Sequence, residues 1–381
     1  MEKKTAIIGG IAGVAIITAV VFGIGCIGPA EEVPTLTVAY LPSDHHAALF
    51  VAGDYWEDFK DAGVYIKPVI EKERYEFYAD DKKIADFKIV LAKQGGAQAM
   101  TMLAQGHSDI NLNGAPPTIL FIDKGVEAKI VSPLQSEGSA VVVGKDNPAN
   151  NWQEFVDWIK THEGREDIGF PLAASIQKVM LEYALKASNI TYTEDRMAEA
   201  DVLIWDMKGQ GSMPGALDRG EIDAFIAWQP TPAIVVEEQG IGKIIVYSQD
   251  LPPEGVWKDH LCCVVVASDK TIKENEEVLV KFLELIMLAN DKINENPELG
   301  AEASANWLGV PKDVESKAIP TIKFTTEITD TWFEGTYKFV DAMNELGKLE
   351  GKLKDVTDRE QIDSVLFDFG PYNKAMEELG K

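Results

Sequence analysis

The sequence predicts an α/β protein of two lobes, and three observations carry that prediction. Segments typical of β-strands alternate with segments of helical periodicity from residue 35 to about residue 270, and the rest is nearly all helical. Such alternation indicates mainly parallel sheets with helices on their faces. The length of 381 residues suits two cores. A short internal repeat indicates that the two lobes are built alike.

The predicted elements follow one another in regular order. In the helix at 151–162, apolar residues recur at i, i+3, i+4 and i+7 from Trp152, and Asn151 with Glu154 forms a capping-box-like start. Residues 71–86 are polar and aromatic around a turn, which predicts an extra surface hairpin. The other predicted strands are 35–40, 64–70, 88–92, 110–113, 129–133, 140–143, 168–172, 201–206 and 261–266, and the other helices are 47–61, 97–105, from 116, 175–188, 215–219 and from 272.

Composition excludes several classes of function. Apolar residues make up 46% and charged residues 26%, as in folded globular proteins. The 36 Lys and Arg against 62 Asp and Glu give a net charge of −26. A chain this acidic repels polyanions, so we expect no nucleic-acid partner and no attachment to membranes through basic residues.

The first 30 residues are predicted to be a targeting segment. Lys3 and Lys4 precede an uncharged run at 5–30, which as a helix would reach about 39 Å and cross a bilayer core. Positive charge before the run favours export of the remaining chain. Cys26 after a small residue resembles a lipoprotein cleavage site, with an uncleaved anchor as the alternative. Residues 31–34 are predicted to be a linker.

The three cysteines predict no disulfide framework. Cys262 and Cys263 are adjacent in a predicted strand, where neighbouring side chains point to opposite faces. They are therefore expected to be packing residues, and a vicinal disulfide or a metal site is the alternative. The five His show no zinc-ligand spacing, so neither a metal nor a cofactor is expected.

The repeat relates residues 103–110 to residues 217–224 at an offset of 114, and Pro116 meets Pro230 at the same offset. Each copy predicts a helix ended by Gly, a buried strand and a Pro-started helix. In open α/β sheets ligands bind beyond the carboxyl ends of strands, beside helix N-termini that favour anions. The binding candidates at such ends are Gln94, Gly95, Gly96, Asn113, Gly114, Ala115, Ser175, Gln177, Gly211, Ser212, Trp228 and Gln229.

The segments 37–42 and 228–233, the repeat and the helical tail together resemble the solute-binding proteins of ABC importers in the nitrate, sulfonate, taurine and thiamine-precursor group. The resemblance covers about residues 35–349. It implies a two-lobed periplasmic-binding-protein fold, type II-like, with a ligand cleft that closes by hinge motion. Its first lobe would hold 35–138 and return with 251–381, and its second lobe would hold 139–250. The crossovers are expected near 137–140 and 249–261, and the hairpin at 71–86 is an insertion in this pattern.

The resemblance adds cleft candidates and implies a role. Ser43, His45 and His46 follow the first strand, where the cleft of the family begins, and Ser136 and Glu137 lie at the first crossover. Trp228 is expected to form a flat wall or to pack in the core. The implied ligand is a small oxyanion such as a sulfonate, taurine or nitrate. The alternative is an aminopyrimidine held by Trp228, the His pair and a carboxylate such as Glu137 or Asp44.

The resemblance also implies a setting. It predicts a monomeric receptor on the extracytoplasmic face of the membrane, tethered by its N-terminus and working with an ABC permease and ATPase. A cofactor-biosynthesis enzyme on the same fold is the competing class, because fold alone does not exclude catalysis. The sequence shows no Ser/His/Asp order with a family-like context.

Overall fold

The computed structural model describes residues 32–381, and Val33–Lys381 form one compact unit. The predicted targeting segment and Cys26 lie outside the described residues. Within residues 32–381, no helix is both long enough and apolar enough to span a bilayer.

Strands and helices alternate through the first two thirds of this unit. The strands are β1 (Thr35–Tyr40), β2 (Val64–Ile70), β3 (Arg74–Ala79), β4 (Lys82–Leu91), β5 (Ile110–Gly114), β6 (Ala128–Glu137), β7 (Ser139–Gly144), β8 (Glu166–Phe170), β9 (Tyr192–Thr193), β10 (Val202–Asp206), β11 (Ala224–Trp228), β12 (Gly242–Tyr247), β13 (Leu261–Ser268) and β14 (Ile322–Lys323). The helices are α1 (Ala47–Asp54), α2 (Gly96–Ala104), α3 (Ala115–Asp123), α4 (Trp152–Thr161), α5 (Ile176–Ala187), α6 (Met213–Asp218), α7 (Thr231–Ala233), α8 (Asp269–Glu274), α9 (Glu276–Glu295), α10 (Pro297–Leu308), α11 (Lys312–Ala318), α12 (Asp330–Glu345), α13 (Arg359–Leu366) and α14 (Gly370–Glu378).

The strands form two sheets. The first sheet has the order β14-β6-β13-β5-β1-β4-β3-β2, and the second has the order β12-β7-β11-β8-β10-β9. We call the elements around the first sheet the first lobe, and β7 to β12 with α4 to α7 the second lobe. The predicted α/β class with two helix-flanked sheets is confirmed.

The strand directions differ from the prediction in the first sheet. There β1 runs parallel to β4 and β5, but β13 runs antiparallel to both of its neighbours and β2, β3 and β4 form an antiparallel meander. The second sheet is parallel from β8 to β11 and antiparallel where β7 joins it. The strand β13 explains part of the difference. The chain comes back from the second lobe at the end of the sheet where β5 and β6 finish, so β13 runs in the opposite direction to both.

The predicted hairpin at 71–86 is present as β3 and β4 around a turn at 80–81, but it extends the first sheet and does not stand apart on the surface. Its second strand and the predicted strand at 88–92 are one strand, β4, which pairs with β1 on its other edge. Phe77 and Phe87 are buried and stack with ring centroids 4.7 Å apart. Tyr75, Phe77 and Phe87 are therefore buried in the core, whereas Tyr78 is half-buried on the other face of β3.

The predicted repeat is present in the structure. The strands β5 and β11 begin at Ile110 and Ala224, 114 residues apart, and each leads directly toward a helix with Pro in its first turn. The predicted caps are confirmed as well. Asn151 accepts a hydrogen bond from the Glu154 N–H at the start of α4, and Ser175 accepts one from the Lys178 N–H at the start of α5.

The chain passes between the sheets twice. It leaves β6 at Glu137 and enters β7 at Ser139, and it returns between Tyr247 and Leu261. Both Glu137 and Gly138 have positive φ, which makes the first crossover a tight turn. A further link comes from the C-terminal region, where α12 packs on β13 and contacts α5 of the second lobe.

Candidate functional site

A cavity of about 40 Å³ lies between the two lobes at the carboxyl ends of their parallel strands. The volume is roughly three times what one water molecule needs, which suits a ligand of a few heavy atoms. The first lobe contributes Leu41, Ser43, His45, His46, Gly96, Gly114, Pro117 and Cys263, and the second contributes Leu172, Ala174, Ser175, Ile176, Gln177 and Trp228.

Three helices of eight or more residues begin at this cavity. Gly96 starts α2, Gly114 precedes α3, and Ser175 caps α5. The first N–H groups of a helix have no partner within the helix and carry partial positive charge. In α3 the residues Pro116 and Pro117 have no N–H, so fewer donors remain there. The converging helix starts favour an anion.

His46 is a buried, neutral imidazole at the cavity wall. Its Nδ1 accepts a hydrogen bond from the Leu41 N–H at 2.9 Å, so its proton is on Nε2. Burial lowers the pKa of His46 to about 3, with a contribution from the neighbouring His45. The Nε2–H has no partner among residues 32–381. His46 therefore offers a neutral donor that a ligand can use.

Trp228 supplies a second unused donor. Its ring lines the cavity and is 8% exposed. Its backbone N–H donates to Gln210 Oε1 at 2.8 Å, which fixes the residue at the end of β11. Its indole Nε1–H has no hydrogen-bond partner in the described part of the chain. The Trp228 ring therefore lies at the cavity, as predicted for a flat wall, and its indole N–H is free to donate to a ligand.

His45 faces two sulfur atoms. Its Nε2 lies 2.9 Å from the Gly138 carbonyl oxygen, and its Nδ1 lies 3.5 Å from Cys262 Sγ and 3.7 Å from Cys263 Sγ. All three residues are buried, and their ligand atoms lie within 4.8 Å of one another. These are the residues of the site whose donor types suit a metal ion.

The sequence prediction that Cys262 and Cys263 point to opposite faces is wrong. The pairing of β13 with β6 shifts register between Leu261 and Cys263 and again between Cys263 and Val264. Such irregularities re-aim side chains relative to a regular strand. Both sulfurs consequently reach the His45 ring.

The structure brings together about half of the predicted site residues. Those that line the cavity of about 40 Å³ are Ser43, His45, His46, Gly96, Gly114, Ser175, Gln177 and Trp228. Gln94, Gly95 and Gly211 line a larger neighbouring cavity of about 490 Å³, which shares Leu172 and Trp228 with the first. Eleven of the predicted positions therefore fall on two adjoining cavities.

Six other predicted site residues line neither cavity and make hydrogen bonds or packing contacts within the fold. Gln229 accepts the Ala233 N–H and donates to Thr321 Oγ1, and Glu137 accepts the Asp259 N–H at 3.4 Å. The remaining predicted residues also make contacts within the fold: Asn113 donates to Thr118, Ser136 pairs with Lys323 in the sheet, Ser212 donates to the Met207 carbonyl, and Ala115 is buried at the start of α3.

Some residues of the cavity wall were not predicted from the sequence. Leu172, Ala174 and Ile176 sit between β8 and α5, beside the predicted Ser175, and the strand-then-cap pattern there was the signal that could have found them. Leu41 and Pro117 were likewise next to predicted positions. Cys263 had no such signal, because its position depends on the strand irregularity.

Comparison with known proteins assigns the chain to a family. A model of the NMT1-like family matches residues 29–309, which is most of the chain. The chain belongs to the NMT1-like family. Within this NMT1-like protein, α11 to α14 and β14 follow the matched region. An uncharacterised protein of Methanocaldococcus jannaschii is 49% identical over 124 residues, which are 32% of this chain and 86% of that protein.

Solved structures share the fold of this NMT1-like protein. The ligand-binding component of an ABC-type import system from Staphylococcus aureus, solved with zinc bound, has a TM-score of 0.66 at 17% identity, covering 90% of this chain and 99% of that one. The nitrate-binding protein NrtA from Synechocystis PCC 6803 has a TM-score of 0.69 at 14% identity, covering 91% and 89%. The aliphatic sulphonate-binding protein SsuA from Escherichia coli has a TM-score of 0.62 at 15% identity, covering 86% and 91%. The chain thus has the periplasmic-binding-protein fold.

Proposed function

We propose that this protein is the solute-binding receptor of an ABC importer and captures a small oxyanion between its lobes. One observation carries the proposal. Two buried N–H donors, His46 Nε2–H and Trp228 Nε1–H, belong to residues that line this cavity, and they lack an acceptor anywhere in residues 32–381. A buried donor without a partner costs about 1–3 kcal/mol. A bound oxyanion supplies the missing acceptors.

The charge of the cavity supports an anion over a cation. Among the described residues, its lining contains no Asp or Glu side chain, although the whole chain carries a charge of −26. The converging starts of α2, α3 and α5 add partial positive charge. Neutral donors at helix starts bind oxyanions without an arginine. The cavity thus has the opposite electrostatic character from the protein surface.

The cavity favours an oxyanion over an aminopyrimidine. An aminopyrimidine would call for a carboxylate that accepts hydrogen bonds from its amino group. The two carboxylates considered for that role, Asp44 and Glu137, do not line the cavity.

The proposed role includes a setting. The receptor would lie on the extracytoplasmic face of the membrane, held by a lipid on Cys26 or by its uncleaved N-terminal segment. It would act as a monomer, deliver its ligand to a permease driven by an ATPase, and catalyse no reaction. Transport requires lobe closure that is reversible, and the two crossovers provide the hinge.

The test is a ligand screen on the full chain in mild detergent. Thermal unfolding is followed with nitrate, bicarbonate, methanesulfonate, taurine and an aminopyrimidine, with chloride at equal ionic strength as the control. A ligand at 100 times its Kd adds about 2.7 kcal/mol, which raises Tm by a few degrees for a chain of this size. A rise with one oxyanion supports the proposal. A rise with the aminopyrimidine alone, or with none of the panel, contradicts the ligand class.

A further inference from the structure

The His45, Cys262 and Cys263 cluster is not used by the proposed anion site. The ring of His45 has no free donor for a ligand, since Nε2 is engaged by the Gly138 carbonyl. The two thiols form no disulfide and are buried. A buried dithiol facing an imidazole lone pair is an arrangement that needs its own explanation.

The tautomer of His45 is set by its backbone partner. A carbonyl oxygen only accepts hydrogen bonds, so the Gly138 oxygen at 2.9 Å requires the His45 proton on Nε2. The lone pair is then on Nδ1, directed at both sulfurs. Histidines that bind metals are oriented in this way by donating their other N–H to a carbonyl or carboxylate.

The distances match a tetrahedral metal centre. A metal–sulfur bond of about 2.3 Å and a metal–nitrogen bond of about 2.0 Å at the tetrahedral angle separate nitrogen and sulfur by about 3.5 Å. The observed Nδ1 to Sγ distances are 3.5 Å and 3.7 Å. The two nitrogen-to-sulfur distances are therefore those of a tetrahedral centre, and all three ligand atoms lie within 4.8 Å of one another.

A neighbouring amide supports the negative charge of a metal-bound thiolate at Cys262. Gln135 Nε2–H donates to Cys262 Sγ at 3.3 Å, so this sulfur already has a hydrogen-bond donor in the surrounding protein. Metal ligands are commonly oriented by such hydrogen bonds from neighbouring groups.

We propose that His45 Nδ1, Cys262 Sγ and Cys263 Sγ bind a thiophilic metal ion such as Zn²⁺ at the wall of the cavity. Two thiolates neutralise a dication, and Cys and His are ligands that zinc accepts. Three protein ligands leave one coordination position for water or a ligand atom. Since His45 and Cys263 also line the cavity, the ion would border the ligand space. The proposal stands apart from the proposed function, because it concerns the metal alone.

The test uses the full chain in detergent under reducing conditions, without any oxyanion ligand. Zinc is added, excess is removed, and bound zinc is counted by elemental analysis. Cobalt(II) replaces zinc as the spectroscopic probe. The expected results are one zinc per chain and a near-ultraviolet thiolate-to-cobalt charge-transfer band with visible bands typical of tetrahedral cobalt.

Variants assign the ligands. Cys262→Ser, Cys263→Ser and His45→Gln are each expected to weaken zinc binding by about 100-fold or more, since they remove a direct ligand, whereas loss of a surrounding hydrogen bond costs about 10–100-fold. Cys26→Ser and His107→Gln are the matched controls and should retain binding, because Cys26 precedes the described residues and His107 is exposed. Circular dichroism of the metal-free variants checks that they fold.

The proposal is overturned if the reduced wild-type chain binds no zinc and gives no cobalt charge-transfer band, and this result does not depend on any variant. It is also overturned if binding survives the loss of both thiols, or if mass spectrometry shows a Cys262–Cys263 disulfide that persists under reductant. These readouts contain no anion, so their failure leaves the receptor proposal intact. A failed ligand screen likewise leaves the metal site intact.

Discussion

The carboxyl groups of Asp44 and Glu315 meet in the interior, within hydrogen-bond reach of each other. Both side chains are 0% exposed. None of their four oxygens accepts a hydrogen bond from any other group in the described part of the chain. Two carboxylates have no donor between them, so this contact requires a proton on one of them. The pair joins the turn after β1 to helix α11.

This pair makes stability depend on pH. Burial raises the pKa of Glu315 from 4.5 to about 7, and burial together with Glu315 raises the pKa of Asp44 well above its usual range. The folded chain therefore binds protons that the unfolded chain releases, and the proton on Glu315 is the one lost near pH 7. The resulting stabilisation is complete below about pH 4.5 and is lost as pH rises through 7. We expect Tm of the wild-type chain to fall over this window more steeply than Tm of Glu315→Gln. Asp313→Asn, an exposed change on the same helix, should follow the wild type. Parallel curves for the wild type and Glu315→Gln would refute the shared proton.

Trp228→Phe separates affinity from stability. The change keeps an aromatic wall but removes the Nε1–H, and a hydrogen bond to a charged group is worth about 1.5–3 kcal/mol. We expect Kd for the oxyanion to rise by about 10- to 100-fold. Tm without ligand should be unchanged or higher, because an unpartnered buried donor is removed. Isothermal titration calorimetry and thermal unfolding measure both. Trp56→Phe, outside the cavity lining, is the control, and equal Kd values in all three proteins would count against the indole as a ligand contact.

Gly138→Ala tests the tight turn at the first crossover. A Cβ there would lie 2.6 Å from His45 Nε2 and 2.7 Å from Ile322 Cγ1, at φ +80°. Left-handed backbone alone costs about 1–2 kcal/mol for a residue with a Cβ, and the clashes add to it. Gly106→Ala is the matched control, with φ +70° and nothing within 4 Å. Urea unfolding should show Gly138→Ala at least about 1 kcal/mol less stable than Gly106→Ala. Equal losses would mean that the crossover accommodates the methyl group.

Lys348→Met tests whether the C-terminal region holds the lobes together. Lys348 follows α12 and pairs at 2.9 Å with Glu182, a buried residue on α5 of the second lobe. Breaking the pair favours the open form, so we expect Kd for the oxyanion to rise a few-fold by population shift. Lys186→Met breaks the exposed pair with Glu345 between the same helices, and exposed pairs contribute little. Small-angle scattering should show a larger radius of gyration without ligand for Lys348→Met alone. Identical scattering and Kd for both variants would show that the pair of Lys348 with Glu182 does not hold the lobes together.

Local signals in the sequence predicted much of the fold. The caps Asn151 and Ser175 and the repeat at an offset of 114 are short-range patterns, and the structure contains them. Strand direction was predicted less well, because it depends on which strands become neighbours. The return of β13 between β5 and β6 has no local signature.

The same distinction between local and long-range features applies to the candidate site. Glycines and Ser175 at strand ends were predictable, since helix starts there are local features. The meeting of His45 with Cys262 and Cys263 joins residues 217 and 218 positions apart through an irregular ladder. The Asp44 and Glu315 pair is equally long-range. Periodicity does not encode either contact.

The two crossovers leave and re-enter the first sheet on adjacent strands. Ser136 in β6 pairs with Leu261 at the start of β13. The second lobe is therefore inserted between two antiparallel neighbours, β6 and β13, at the position where a hairpin turn would stand. A short turn between these two residues would close the hairpin and restore an uninterrupted sheet. The second lobe is thus a single insertion between two paired residues, and replacing the segment between them would exchange that lobe's side of the ligand pocket while Ser136 and Leu261 keep their pairing.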